Sequence, residues 1–252
     1  STGELNVAVI QAEDELSAIG MAIGANWNGS RAFTATSGPG ISLMGEFLGL
    51  AYFAEIPLVL FDIQRGGPST GMPTRTQQSD LITCAYASHG DTKQILLLPS
   101  DPYECFEFGY KSFDLAEQLQ TPIMVLSDLD IGMNDWVIDE LTWNEDYKHN
   151  RGKLINSDDI EKLKEFARYR DIDDDGIPYR TIPATNAEYG AFFIRGTSHT
   201  DTAGYTEDGE IHAEMLLRIN KKFITAKQLL PQPIININSP KSKIGIINFG
   251  ST

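Results

Sequence analysis

The chain has 252 residues, 41% of them hydrophobic, and a formal net charge of −15. That length buries a substantial core and admits one large domain or one domain with a sizeable appendage. The charge opposes nucleic-acid phosphates, which are normally met by clustered Lys and Arg, and no apolar run approaches the roughly 20 residues of a membrane helix. Nucleic acid and membrane are therefore excluded as expected partners. The start, Ser1 to Glu15, lacks the charged, apolar and small-residue succession of a secretory signal, so the expected location is cytoplasmic.

From the start to residue 134, short apolar runs alternate with amphipathic stretches, the pattern of an α/β fold with a parallel sheet flanked by helices. The expected strands are Leu5–Ala12, Ala32–Thr36, Pro57–Ile63, Gln94–Leu98 and Pro122–Ser127, continuous apolar runs suited to a sheet covered on both faces. After Ser100, Asp101 offers an N-cap, Pro102 a first helical residue and Glu104 a capping-box carboxylate. Tyr103, Phe106, Tyr110, Phe113 and Leu119 follow at helical spacing and read as a buried stripe.

Residues 135–240 are richer in acids and loop formers and read as an appendage or linker, with helical segments near Asp158–Arg168 and Glu210–Phe223. Within them Asp171-Ile172-Asp173-Asp174-Asp175-Gly176 matches the first half of a calcium loop, but Ile182 stands where the bidentate glutamate belongs, so a solvated acidic turn is expected. Residues 241–252 read as the first strand of a following, truncated domain, and the abrupt entry into the first strand suggests a piece of a longer polypeptide.

Three segments can carry chemistry. Thr36-Ser37-Gly38-Pro39-Gly40 is a glycine turn between strand and helix, where backbone amides can face an anion or merely build a tight turn. It has neither the Walker lysine nor dinucleotide glycine spacing. Arg65, ahead of Gly66-Gly67-Pro68-Ser69-Thr70, lies beyond a strand's carboxyl end, where parallel sheets bind ligands. The residues leave it open between a bidentate fork for a substrate carboxylate and a surface arginine paired with an acid. Glu13, Asp14 and Glu15 open a helix, and dipole complementarity accounts for the first two. Glu15 precedes Leu16, Ile19, Ala22 and Ile23, a face expected to turn inward and to bury its carboxyl.

Taken in order, Glu13-Asp14-Glu15-Leu16-Ser17-Ala18, Ser37-Gly38-Pro39-Gly40, the Arg65–Thr74 stretch, Ser88-His89-Gly90-Asp91 and Arg195-Gly196-Thr197-Ser198-His199 resemble the alpha subunit of 2-oxoacid:ferredoxin oxidoreductases, particularly the 2-oxoglutarate branch. The resemblance implies an enzyme that oxidatively decarboxylates a 2-oxoacid to acyl-coenzyme A and CO₂, using thiamine diphosphate shared with a partner beta subunit and passing electrons to ferredoxin. By resemblance Glu15 contacts the cofactor's pyrimidine N1′, Ser37, Gly38, Pro39 and Gly40 line the cofactor, and Arg65, Gly66, Gly67, Ser69 and Thr70 bind substrate. His89 is a further candidate.

The Gly-Asp-Gly motif that holds Mg²⁺ and diphosphate is absent, and Cys84 and Cys105 lack cluster spacing, so metal and iron–sulfur clusters are expected on the partner. The family's Tyr-Pro-Ile-Thr-Pro segment is absent too, which implies that the chain is inactive alone. Two alternatives remain: a non-catalytic anion- or nucleotide-binding scaffold using Ser37–Gly40, and a component of another thiamine diphosphate enzyme.

Overall fold

The fold is described from a computed structural model, over residues 7–163, 166–186, 192, 195–237, 239, 241 and 243–252. Four parallel strands, β1 (Phe33–Thr36), β2 (Leu58–Gln64), β3 (Ile95–Leu97) and β4 (Pro122–Asp128), lie in the order β1-β2-β4-β3. Their apolar runs are continuous because both faces are covered. Leu58, Leu60, Met124 and Leu126 pack with buried residues of α1 (Glu15–Trp27), α2 (Gly38–Leu43), α3 (Gly45–Phe53) and α4 (Leu81–Ala85). The alternate residues Val59, Ile123 and Val125 pack against Phe108, Leu115 and Leu119 of α5 (Pro102–Leu119). Each such side chain contributes roughly 1.5–3 kcal/mol of burial.

The expected first strand does not form. Residues 5 and 6 lie outside the described residues, residues 7–12 join no strand, and Val9 is 95% exposed. The last apolar run behaves alike: residues 243–249 form no strand, and Ile247 is 98% exposed. An apolar, β-branched run states a preference, but a strand exists only where a neighbour accepts its ladder bonds.

α5 begins as its sequence indicates, with Asp101 accepting from the Glu104 N–H at 2.8 Å, although the Glu104 carboxylate reaches back to the Ser100 N–H at 2.7 Å, one residue earlier than expected. Its expected stripe is only partly the buried face. Leu119 is buried and Phe113 packs on the core with Phe108 and Leu115, but Tyr103 is exposed, and Phe106 and Tyr110 meet Trp143, and Tyr110 also Tyr147, edge-on at centroid distances of 4.9–6.5 Å. The stripe is thus covered from outside by the segment after residue 134.

α6 (Leu129–Met133), α7 (Ser157–Lys162) and α8 (Gly209–Ala226) complete the described helices. α7 is shorter than its expected span, and residues 164 and 165 lie outside the described residues. Two buried ion clusters tie residues after 134 to the sheet. Glu55, fully buried with φ 55°, pairs with Arg218 and with Lys222 at 2.9 Å, and the Arg168 guanidinium donates to its carbonyl at 2.9 Å. Burial alone would raise the Glu55 pKa, but the Arg218 and Lys222 charges outweigh it and hold the carboxyl well below its usual range. On the other side Glu117 receives Arg31 and Arg151 at 2.6 Å and Arg180 at 2.9 Å.

The acidic turn is paired rather than freely solvated. Asp171 accepts the N–H groups of Asp175 and Gly176 at 3.1 and 2.8 Å, Lys153 reaches Asp173 and Asp175 at 2.7 and 2.9 Å, and Lys221 meets Asp174. No cluster of three or more His, Cys, Asp or Glu side chains among the described residues is arranged to hold a metal ion.

Candidate active site

The carboxyl ends of β1 and β2 carry the loops singled out by sequence. Because α1 runs back antiparallel to β1, its first turn returns to the same edge. There Asp14 is the N-cap, its side chain accepting the Ser17 N–H at 2.7 Å, and Glu13 is exposed. Glu15 is half-buried, and it packs onto the turn that follows β1: a Cβ added at Gly40 would stand 3.0 Å from Glu15 Cγ and 3.0 Å from Thr36 Cβ. Among the described residues nothing donates a hydrogen bond to the Glu15 carboxylate. The inward face is narrower than expected, since Ile19, Ala22 and Ile23 are buried but Leu16 is exposed.

The Ser37–Gly40 turn is not an open anion cradle. The Asp80 carboxylate lies against Gly38, Pro39 has no N–H, and Gly40 donates to the Ser37 carbonyl at 2.8 Å. A carboxylate of the chain thus stands beside the turn where an external anion was expected. Gly38 permits this approach, because a Cβ there would lie 2.6 Å from Asp80 Oδ1 and displace that side chain.

After β2 the chain passes Arg65 and folds tightly back on itself. Gly66 donates to the Arg75 carbonyl at 2.8 Å and its own carbonyl accepts from Met72 at 2.9 Å, while Gly67 donates to Gln77 Oε1 at 3.1 Å. Gly71, at φ 45°, lies so close to Gly66 that a Cβ would come within 2.8 Å of the Gly66 carbonyl carbon. Ser69 and Thr70 are exposed at the tip of this loop. Arg65 is half-buried, and its Nε is buried with no hydrogen-bond partner. The alternative of an arginine neutralised by a nearby acid is not what the structure contains: no ion pair of Arg65 is formed among the described residues.

His89 is placed apart from this edge. It belongs to the loop entering the amino end of β3, is 82% exposed, and stands 3.8 Å from the equally exposed Glu46. With Ser88, Asp91, Ser198 and His212 it lines an open cleft of about 300 Å³ whose wall includes neither Glu15 nor Arg65.

Residues 1–159 match the family model of the pyruvate flavodoxin/ferredoxin oxidoreductase thiamine diphosphate-binding domain. The chain belongs to this family. It is 51% identical over 96% of its length to the 2-oxoglutarate synthase subunit KorA of Methanothermobacter marburgensis, and 37% identical over 97% to the 2-oxoacid:ferredoxin oxidoreductase subunit alpha of Saccharolobus solfataricus. The chain spans 62% and 38% of those relatives. Among solved structures, 88% of it superposes at a TM-score of 0.79 and 31% identity on 37% of a 2-oxoglutarate:ferredoxin oxidoreductase chain from Magnetococcus marinus, determined with 2-oxoglutarate, coenzyme A and succinyl-CoA bound. The parallel sheet between helical layers is the family's thiamine diphosphate-binding fold.

Within this oxidoreductase domain the structure adds residues that sequence reasoning passed over. Asp62, on the same face of β2 as Leu58 and Leu60, is fully buried, and the Cys84 thiol donates to its Oδ2 at 3.5 Å. Burial, then the charge of Asp80, pushes the Asp62 pKa up to about 7. Burial likewise raises the Cys84 pKa, so it stays a thiol. Gln64 accepts the Asp80 N–H at 3.1 Å. Asp128, at the end of β4, caps α6 and also receives Gln78 at 2.9 Å and Ser251 at 2.6 Å, which brings the Phe249–Thr252 segment to this edge. The one available signal was an acid inside the otherwise apolar run Leu58–Ile63.

Proposed function

We propose that this chain supplies the pyrimidine-side half of a thiamine diphosphate site in a 2-oxoacid:ferredoxin oxidoreductase, with 2-oxoglutarate as the preferred acid, and that it works only with a beta subunit. The observation behind this reading is a pair of unmet opposite charges at one sheet edge: the Glu15 carboxylate without a donor and the buried Arg65 Nε without an acceptor. A buried polar group is normally satisfied, so the Arg65 Nε is suited to a bound acceptor, and the half-buried Glu15 carboxylate is left free to meet a donor. Both are of the right kind. A carboxylate at Glu15 can hydrogen-bond the pyrimidine N1′ and hold the ring in its basic tautomer, and the guanidinium of Arg65 can fork onto a substrate carboxylate.

Bound there, thiamine diphosphate supplies the carbanion chemistry of decarboxylation. Glu15 holds a proton at N1′. The Ser37–Gly40 turn backs Glu15 and lines the ring; Arg65 orients the acid, and Gly66, Gly67, Ser69 and Thr70 shape the surrounding pocket. Mg²⁺ and the diphosphate end are assigned to the beta subunit, which carries the Gly-Asp-Gly motif missing from this sequence, as are the iron–sulfur clusters that pass electrons to ferredoxin before acyl transfer to coenzyme A. The preference for 2-oxoglutarate follows the likeness to the methanogen 2-oxoglutarate synthase subunit and the Magnetococcus enzyme. A cytoplasmic location suits such a complex, and no described helix is long and apolar enough to cross a membrane.

Two measurements test the reading. Arg65→Met in the reconstituted complex should raise the KM for 2-oxoglutarate by about 10²-fold, the worth of a lost charge-assisted pair of some 2–3 kcal/mol, with thiamine diphosphate affinity unchanged. An unchanged KM removes Arg65 from the pocket. The chain without its partner should show no 2-oxoacid-dependent dye reduction, and robust activity alone would refute the two-subunit assignment.

A further inference from the structure

We propose that Asp62 and Asp80 share one proton beneath the Gly38–Gly40 turn, forming a buried carboxylate pair that fixes the turn on which Glu15 rests. Both acids are therefore positioning residues for Glu15, a role that depends on the proposed function, whereas the shared proton does not.

The hydrogen-bond accounting leads to this pair. Asp62 Oδ2 accepts from the Cys84 thiol, and the Asp80 carboxylate accepts from the Ser79 hydroxyl at 3.3 Å and lies against Gly38. Asp62 Oδ1 and Asp80 Oδ2 are buried and have no donor. Each side chain is among the groups that act on the other, so one proton shared by the pair gives both orphan oxygens a partner. Two bare carboxylates in such a place would repel and lack donors, whereas a protonated one donates to its neighbour.

The proton resides on Asp62. It is the more deeply buried of the two, and its other contacts bring no positive charge: Cys84 and Asp80 are the titratable groups facing it, while its register neighbours Thr36 on β1 and Leu126 on β4 are uncharged. Its pKa near 7 agrees with that placement. Asp80 then remains ionised and holds Gly38, and through Pro39 and Gly40 the turn presses against Glu15 Cγ. Above the titration of Asp62 both acids are charged, repulsion drives Asp80 off Gly38, and the support of Glu15 is lost.

The experiment uses the assembled oxidoreductase with either the parent chain or Asp62→Asn, whose amide donates permanently to Asp80 and so imitates the shared proton. Infrared spectra recorded below and above neutral pH should show a carboxylic-acid carbonyl band in the parent that vanishes as pH rises and is missing from the variant throughout. Over the same range parent activity should fall about tenfold per pH unit, while Asp62→Asn keeps its low-pH activity and loses this alkaline limb. If Asp62→Asn does not assemble, Asp80→Asn serves: it removes the neighbouring charge and its amide donates to Asp62, so the band should vanish at a lower pH than in the parent, and a band lost at the same pH overturns the shared proton. The absence of any band that differs between parent and variant overturns the shared proton. A band with an unchanged pH profile in Asp62→Asn overturns the positioning role. An inactive complex that shows the band refutes the enzymatic reading and leaves the pair standing.

Discussion

Replacing Glu55 by Gln probes what joins the sheet to the residues after 134. The side chain keeps its shape, but the buried Lys222 and Arg168 and the largely covered Arg218 lose the carboxylate they surround. Removing one member of a buried ion cluster costs about 3–5 kcal/mol, because the remaining charges stay desolvated. The lower end applies here, since Arg218 still donates to the Gly176 carbonyl at 3.0 Å and Lys222 to the Gln120 carbonyl at 3.1 Å. A loss of about 3 kcal/mol is a large fraction of the 5–15 kcal/mol that holds a domain together, and with a slope of ~2–3 kcal/mol/M it moves the urea midpoint down by about 1 M. Equilibrium unfolding followed by Trp fluorescence measures this shift, and limited proteolysis should find α8 cut first. The Glu55 pKa is lowered on folding, so its contribution is present above the unfolded carboxylate value and is lost as pH falls toward the folded one. The variant should lack that acid-side loss. A midpoint within a few tenths of a molar of the parent, with α8 equally resistant, would show that the cluster does not anchor the appendage.

Asp62 acts in the opposite sense. Its pKa is raised on folding, so the parent should lose about 4 kcal/mol relative to Asp62→Asn between its unfolded pKa near 4 and its folded value of about 7; parallel pH profiles from urea titrations would refute this. Gly40→Ala should push Glu15 and Thr36 apart, destabilising the domain by about 1–3 kcal/mol and lowering activity more than the loss of folded protein explains, as activity per folded molecule will show. Tyr147→Phe removes a 2.5 Å hydrogen bond to the buried Asp114, and the urea midpoint should report a cost of about 1–2 kcal/mol.

The sheet was legible where its helices are. β1 and β3 fall within their expected runs and β2 and β4 overrun theirs by one residue, because the cores of Leu58–Gln64 and Pro122–Asp128 are apolar on both faces, and both faces are covered. The same logic misleads at 7–12 and 243–249, where composition states a preference but says nothing about a neighbour. Helical spacing found α5 and, in Phe113 and Leu119, part of its inner face, but not the cover over Tyr110, because Trp143 and Tyr147 arrive some 30 residues later. At the candidate site Glu15, Arg65 and the Gly38 turn were readable from their places at strand and helix ends. Asp80 was not: its partners Asp62 and Gly38 are 18 and 42 residues away, and only the folded loop brings the three together. His89 shares a sequence motif with the family, yet the chain turns it toward Glu46 and a different cleft.

The central claim is that Glu15 serves the pyrimidine end of a thiamine diphosphate shared with a second chain. Its most direct test is 2-oxoglutarate-dependent dye reduction by the reconstituted complex carrying Glu15→Gln. Activity should fall at least about 10²-fold while assembly and cofactor content stay at parent levels, since the amide cannot hold the proton at N1′. Parent-like turnover in a fully assembled, cofactor-loaded Glu15→Gln complex would contradict it.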